Sequence, residues 1–312
     1  MTFTVLVLLV AFAVGFAMKT GGLCTYAAAE QIVRRRRFER LQAFFGAAAW
    51  AFLVVVPLAW LFPGDVALSG THDRLDIALV GGVVLGAGAW LNRGCFFGTF
   101  VQLVGGNLAY LATLPGMVAG ALAVRIALAD RLEEEGPVAL VAAPTSWMAL
   151  GFLIAAGIAL TLVFDLRTMR RRPVAGLLIA MVIGIGGGSL FAAVKGWDLA
   201  AVMIQTGYRA WQIVQSGPVP LAVGSTLAMV AGGITAAIRQ GRFILRLPGF
   251  GRALACLAGG MLMGAASVII PGGNDGLLLS GIPALAPHAF AGYLAMLGSM
   301  MVLLAIFPKE KG

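Results

Sequence analysis

Long apolar runs are the feature that most constrains this chain. Five of them have the length of about 20 residues that a helix needs to cross the hydrocarbon core of a bilayer. Composition agrees, since 60% of the residues are hydrophobic and 11% are charged, against about 25% charged residues in a soluble domain. The sequence therefore predicts an all-α polytopic membrane protein. The five runs cover residues 41–62, 108–128, 146–165, 219–238 and 286–306.

Four other apolar stretches reach spanning length only if a polar or glycine-rich interruption is tolerated. These stretches cover residues 3–33, 77–105, 174–213 and 252–282. Their interruptions are "KTGGLC" (19–24), "NRGC" (92–95), "VKGWD" (194–198) and "PGGND" (271–275). We interpret them as four broken helices, which brings the expected number of crossings to about nine.

The charged loops give the expected orientation. If each broken stretch crosses once, all basic segments fall on one side of the membrane. These are the loops at 34–40, 167–172 and 239–246 and the tail at 309–311. Acidic loops at 63–76 and 129–145 then fall on the other side. Because cytoplasmic loops are rich in Lys and Arg, the N-terminus is expected outside the cytoplasm and the C-terminus inside it. The net charge of +9 is thereby explained without a nucleic-acid partner.

An internal repeat divides the chain. Residues 80–98 align without gaps on residues 258–276, and five glycines coincide in the two segments. The predicted halves are residues 1–145 and 166–312, joined by a connecting transmembrane helix at 146–165. Because a single helix connects the halves, the second half enters the membrane from the side opposite to the first, and the halves have opposite orientations. Broken helices at matching positions of an inverted-topology repeat indicate a substrate site near the bilayer midplane.

The interruptions have the chemistry of an anion site. Backbone groups at a break have no water partner in lipid, so the four breaks are expected to meet inside the protein, near the midplane. A half-helix that begins near Cys95 or Asn274 would direct its free N–H groups there. Three cations lie at breaks, namely Lys19, Arg93 and Lys195. The alternative is that these cations extend to the membrane surface or pair locally, as Lys195 could with Asp198.

Three cysteines are too few and too scattered for a disulfide framework, and with two histidines we expect no metal site. Cys256 lies in plain helical sequence and is interpreted as a small buried hydrophobe. Cys24 and Cys95 each lie at a break. A neutral thiol is a weak donor with a soft sulfur, which suits a soft sulfur-bearing anion that must bind weakly. The alternative is a low-pKa thiol in a redox or persulfide relay.

Two segments carry a family resemblance. "GGLCTYAAAEQIVRRRR" (21–37) and "GAGAWLNRGCFFGTF" (86–100) resemble the YeeE/YedE, or sulphur-transport, family of bacterial inner-membrane proteins. The resemblance implies uptake of thiosulfate, passed along three cysteines in central loops by S–H···S contacts. It also implies a small cytosolic sulfur carrier of the TusA type as a partner. By motif, the first two cysteines are Cys24 and Cys95.

The chain departs from that family at the third cysteine. The family has Gly-Cys-Asn in the last break, whereas this chain has Gly272-Gly273-Asn274. The resemblance implies that position 273 accepts a cysteine, so we expect Gly273→Cys to fold and to raise thiosulfate uptake. Together with the earlier arguments, this gives the candidate substrate-binding residues: Lys19, Cys24, Asn92, Arg93, Gly94, Cys95, Lys195, Gly273 and Asn274.

The expected function is therefore that of a permease for thiosulfate or a related small sulfur-containing anion, and not that of an enzyme. Two alternatives stay open: a membrane-embedded thiol relay that uses Cys24 and Cys95, and an anion channel without sulfur chemistry. The sequence contains no P-loop, and we expect no cofactor.

Overall fold

The computed structural model describes residues 2–62, 66, 74–128, 174–194, 221–270 and 273–307. Its regular elements are helical. They are α1 (Thr2–Gly21), α2 (Thr25–Arg35), α3 (Glu39–Leu61), α4 (Leu75–Asn92), α5 (Phe96–Leu103), a 3₁₀ turn (Leu108–Ala112), α6 (Thr113–Leu128), α7 (Val174–Ala193), α8 (Leu221–Arg239), α9 (Phe250–Ile269), the one-turn α10 (Gly273–Gly276), a π turn (Leu277–Gly281) and α11 (Pro287–Ile306).

The helices confirm a multi-pass membrane protein. Seven segments of the described chain are long and apolar enough to cross a bilayer, and Leu178–Ala193 is a shorter apolar helix. Large apolar side chains such as Leu6, Leu9 and Leu254 are exposed, as expected for helices that face lipid. The predicted connecting helix at 146–165 and the second part of the stretch at 174–213 lie outside the described residues, so nine crossings remain a prediction.

Helices end at the first two predicted interruptions. Gly22 has a φ of 58° and follows the last residue of α1, and Arg93 has a φ of 53° and follows the last residue of α4. A left-handed residue at this place ends a helix, because the chain can no longer continue the hydrogen-bonded spiral. In both cases a new helix begins three residues later. At the fourth interruption, α9 ends at Ile269 and α10 begins at Gly273; the third, at 194–198, lies outside the described residues except for Val194.

Helices of the two predicted halves pack against each other in a regular pattern. Helix α1 packs on α8 and α3 on α7, while α4 packs on α11 and α6 on α9. In addition, α1 contacts α7 and α4 contacts α9. Within this set of four pairings, each one thus has a counterpart in which the roles of the halves are exchanged. This is the pattern of contacts that a two-fold relation between the halves would produce.

Glycines that align in the internal repeat make matching contacts. Gly82 in α4 lies against the backbone of Gly292, and the aligned Gly260 in α9 lies against the backbone of Thr113. The next aligned pair behaves in the same way, since Gly86 meets Met296 and Gly264 meets Met117. A side chain at these positions would hold the helices apart. The repeated glycines therefore allow close helix contacts on both sides of the molecule.

Candidate functional site

The thiols of Cys24 and Cys95 form the centre of the site. Their sulfur atoms lie 4.0 Å apart, and both side chains are buried. The backbone amide of Thr25 donates a hydrogen bond to the Cys95 sulfur at 3.2 Å. Both cysteines are free thiols rather than a disulfide. The first two predicted interruptions therefore meet, and they meet at their cysteines.

The same local structure positions both thiols. Cys24 is the N-cap of α2 and Cys95 is the N-cap of α5, and each has an extended backbone. In each case a left-handed residue two positions earlier has ended the preceding helix. The N-cap is where a side chain can lie over the first turn of its helix, close to unpaired N–H groups. Both thiols consequently lie at the electropositive end of a helix.

Gly98 provides the space for the pair. A β-carbon at Gly98 would lie far inside van der Waals contact of the Cys24 sulfur and 4.0 Å from the Cys95 sulfur. Gly98 belongs to the first turn of α5, so the Cys24 thiol packs directly against the backbone of that turn. A residue with a side chain would displace the first thiol from the second.

Asn274 brings the fourth interruption to the same place. Its Oδ1 accepts a hydrogen bond of 3.1 Å from the amide of Phe96, the first residue of α5. Its Nδ2 lies 3.5 Å from Oγ1 of Thr25, the first residue of α2. Asn274 is fully buried. One amide side chain thus joins the start of α2 to the start of α5, and three of the four predicted interruptions contact one another.

Asn92 holds the second interruption in shape. Its Nδ2 donates to the carbonyl oxygen of Gly94 and to Oγ1 of Thr99, both at 2.8 Å, and its Oδ1 accepts from Oγ1 of Thr113 at 2.9 Å. The side chain is completely buried. Because the amide hydrogens and the carbonyl oxygen are all used within the protein, Asn92 fixes the turn that carries Cys95. Gly94 contributes its carbonyl group to the same turn.

Lys19 has a local partner. Its ammonium group donates a hydrogen bond of 3.0 Å to the carbonyl oxygen of Val101, in the last turn of α5. The last four carbonyl groups of a helix lack partners within the helix, and a cation there also interacts favourably with the helix dipole. Lys19 thus has a local partner, while its role in substrate binding stays a prediction.

Arg93 is exposed, and its backbone rather than its side chain is tied down. The Tyr110 hydroxyl donates to the Arg93 carbonyl oxygen at 3.2 Å. The guanidinium of Arg252 binds the carbonyl oxygens of Leu91 and Asn92 and lies 5.0 Å from the centre of the Tyr110 ring. Arg252 and Tyr110 therefore satisfy the end of α4, while the exposed Arg93 side chain makes no hydrogen bond to the described residues.

The resemblance to a family with cysteine at position 273 suggests ordinary backbone there, and in this respect it is wrong. Folding and uptake of Gly273→Cys stay predictions. Gly273 is buried and has a φ of 54°, a conformation that L-residues other than glycine rarely adopt. Lys195, the remaining predicted cation, lies outside the described residues.

Cys256 is placed as the sequence predicts. It is fully buried within the continuous helix α9, in a small cluster with Ala109 and Tyr110. This cluster is separate from the larger one that holds Cys24 and Cys95. The Cys256 thiol thus packs as a small apolar side chain would.

The sequence did not identify Thr25, Gly98 or Arg252 as parts of the site. Thr25 and Gly98 each lie within four residues of a cysteine in a recognised motif, so proximity along the chain was a usable signal. Arg252 was assigned to no break because it lies in the first turn of α9, and its contact with α4 arises only from the packing of α9 on α4.

Comparison with protein families gives a match. The family described as sulphur transport matches residues 20–176, which is half of the chain and includes both cysteine motifs. Among curated proteins, no relative matches the chain.

Proposed function

The chain belongs to the sulphur transport family, also known as YeeE/YedE, and on this premise we propose that it is an inner-membrane permease for thiosulfate. The family supports a sulfur-containing anion as substrate. The observation that carries the finer proposal is the pair of free thiols 4.0 Å apart where three helix interruptions meet. In this proposal, thiosulfate passes along Cys24 and Cys95 by successive weak S–H···S contacts.

Thiol chemistry suits such a passage. A neutral thiol is a weak hydrogen-bond donor with a polarisable sulfur, so it can contact the terminal sulfur of thiosulfate without holding it tightly. A substrate that must leave quickly requires contacts of this kind. Since the sulfurs lie 4.0 Å apart, one terminal sulfur could contact both thiols in turn with a small displacement.

Two helix N-termini compensate part of the cost of moving an anion out of water. Helix α2 has 11 residues and begins after Cys24, and α5 has 8 residues and begins after Cys95. The N-terminal end of a helix carries about half a positive elementary charge. Because the two N-termini meet at the thiols, their partial charges add at the position where we place the anion.

A basic cavity lies beside α2 and provides the proposed cytoplasmic opening. It has a volume of about 270 Å³ and is lined by Ala27, Glu30, Gln31, Arg34, Arg35 and Arg40. Ala27 belongs to the first turn of α2, next to Cys24, and the arginines belong to its last turn and to the following segment. We propose that an anion leaving the thiols enters this cavity, where three guanidinium groups outnumber one carboxylate. This opening is also where a TusA-like sulfur carrier would receive its substrate.

The proposed threading has nine crossings, a periplasmic N-terminus and a cytoplasmic C-terminus. Two inverted halves are supported by the helix packing between them, because the pairs match when the halves exchange roles. The matching pairs are α1 on α8 with α3 on α7, and α4 on α11 with α6 on α9. The matching contacts of aligned glycines support the same relation. The site then lies on the axis between the halves, near the midplane, and Asn274 of the second half joins the two thiol-bearing turns of the first.

The thiol separation also fits a membrane-embedded thiol relay, because two sulfurs at 4.0 Å need only a small movement to react with each other. Such a relay requires an electron acceptor, whereas a permease does not. Uptake by liposomes that contain the purified protein and neither oxidant nor reductant separates the two functions. Uptake under these conditions supports the permease.

Growth provides the test of the proposed function. A host that keeps its enzymes of sulfur assimilation, but lacks its sulfate and thiosulfate transporters, is supplied with thiosulfate, sulfite or sulfate as sole sulfur source. With this gene we expect growth on thiosulfate, and growth on sulfate no better than with the empty vector. Growth on sulfate alone would contradict the proposed substrate.

A further inference from the structure

Tyr293 has a buried hydroxyl group without a hydrogen bond to the part of the chain that the structure describes. The residue belongs to α11, and its side chain is 1% exposed, which makes it one of the largest fully buried side chains. Its hydroxyl oxygen has no hydrogen-bond partner among the residues that the structure describes. Buried hydroxyl groups of tyrosine usually find a partner, because leaving one unpaired is unfavourable. The exception therefore needs an explanation.

The surroundings of the hydroxyl supply one. The Thr25 side chain lies close to the hydroxyl but does not meet hydrogen-bond geometry with it. The Thr25 amide in turn donates a hydrogen bond to the Cys95 sulfur at 3.2 Å. On its other side, the ring of Phe45 contacts the Tyr293 ring nearly edge-on, with 6.3 Å between centroids. The Tyr293 ring is thus held by an apolar contact, while its hydroxyl lies near Thr25, the residue that follows Cys24 and binds the Cys95 sulfur.

We infer that the Tyr293 hydroxyl is a substrate-positioning group, which donates a hydrogen bond to an oxygen of the anion while its sulfur contacts the thiols. The inference rests on the proposed function and adds the group that recognises the oxygen atoms of the substrate. Thiosulfate has a soft terminal sulfur and three charged oxygens. Cys24 and Cys95 suit the first, and a phenolic O–H, a donor of strong hydrogen bonds to charged oxygen, suits the second.

This arrangement gives selectivity for sulfur oxyanions. An anion with a soft sulfur but no oxygen, such as thiocyanate, would contact the thiols and offer the Tyr293 hydroxyl only a single nitrogen, a weaker acceptor than the oxygens of thiosulfate. A site that presents an unpaired donor discriminates against the ligand that cannot satisfy it. The hydroxyl should therefore affect thiosulfate more than thiocyanate.

The test compares Tyr293→Phe with the wild type in liposome uptake of labelled thiosulfate and labelled thiocyanate. We expect thiosulfate uptake to fall by about tenfold, because a hydrogen bond to a charged group is lost, and thiocyanate uptake to change by less than about twofold. Thermal unfolding in detergent should be unchanged, since the hydroxyl has no partner within the described protein. Ser299→Ala serves as the control, because it removes a hydroxyl from the same helix whose partners are backbone carbonyls of Val83 and Met296.

Three results would overturn the inference. One is Tyr293→Phe that transports thiosulfate like the wild type. Another is an equal loss of both anions, which would mean a general change of the passage. The third is a Tyr293→Phe variant that unfolds at a lower temperature but is stabilised by added thiosulfate as much as the wild type is. That result would mean that the hydroxyl has a structural role. A wild-type protein that takes up no thiosulfate would instead refute the proposed function, and this inference with it.

Discussion

The sulfur atoms of Cys24 and Cys95 lie 4.0 Å apart, although 71 residues separate the two cysteines in the chain. Each thiol is the N-cap of a short helix that follows a left-handed residue. The two thiols are therefore positioned by two copies of the same local structure, which meet at the first turns of α2 and α5. The predictions below test the parts that hold it.

Gly98→Ala should separate the thiols. Its β-carbon would lie inside contact distance of the Cys24 sulfur, so either the thiol or α5 has to move. We expect a loss of stability of about 1–3 kcal/mol, as for other overpacked sites, and uptake reduced at least tenfold. Unfolding in detergent and liposome uptake measure the two effects.

The matched control is Gly298→Ala in α11, where an added β-carbon would meet nothing within 4 Å. This variant should keep its uptake and be slightly stabilised, because alanine favours a helix over glycine. If Gly98→Ala and Gly298→Ala behave alike, close packing around Cys24 is not what the site needs.

Asn92→Ala should destabilise the turn that carries Cys95. It removes three hydrogen bonds and leaves buried groups of Gly94, Thr99 and Thr113 without this partner. Since each buried group left unpaired costs about 1–3 kcal/mol, we expect a loss of about 3 kcal/mol in unfolding free energy. Asn107→Ala, which removes one hydrogen bond to the Ala109 amide, should cost about 1 kcal/mol. Equal losses for the two variants would disagree with the network around Asn92.

The sequence predicted the helix interruptions better than the roles of the residues in them. Polar residues and glycines within an apolar run indicate a break, because lipid cannot satisfy the exposed backbone. Helices α1 and α4 do end within the first two predicted interruptions, at Gly21 and Asn92. The pattern did not show that the Asn92 amide would be fully used by the protein, since a buried amide at a break suits a substrate and a neighbouring chain segment equally well.

The contacts between distant segments were beyond the sequence. From the sequence, the Lys19 ammonium group could bind an anion or the end of a helix. Its hydrogen bond to the Val101 carbonyl group depends on the position of α5 beside α1, which the sequence does not reveal. The bridge from Asn274 to Phe96 and Thr25 likewise depends on how the two halves pack. The φ of Gly273 was misjudged because the resemblance to a family with cysteine there suggested ordinary backbone.

Gly273 offers a test of that backbone. Gly273→Ala places a β-carbon on a left-handed residue and should cost about 1–2 kcal/mol in unfolding free energy. Gly273→Asn should cost less than Gly273→Ala, because asparagine tolerates the left-handed conformation. Gly273→Cys is expected to carry a penalty similar to that of alanine. An alanine variant as stable as the wild type would show that position 273 is not left-handed.

Orientation in the membrane is tested by a reporter at the C-terminus. Because the basic loops segregate to one side, a fluorescent protein that folds only in the cytoplasm should be active there, and alkaline phosphatase should be inactive. Fusions after residue 128 should behave in the opposite way, since α6 then ends in the periplasm. A periplasmic C-terminus would contradict the inverted halves as well as the orientation.

The measurement that tests the central claim most directly is thiosulfate uptake by liposomes containing the wild type, Cys24→Ala, Cys95→Ala or Cys256→Ala. The three variants remove the same atom from three buried residues, but only the first two lie in the thiol pair. We predict that Cys24→Ala and Cys95→Ala lose at least nine-tenths of the wild-type rate and that Cys256→Ala keeps most of it. Uptake retained in Cys95→Ala but lost in Cys256→Ala would contradict the account.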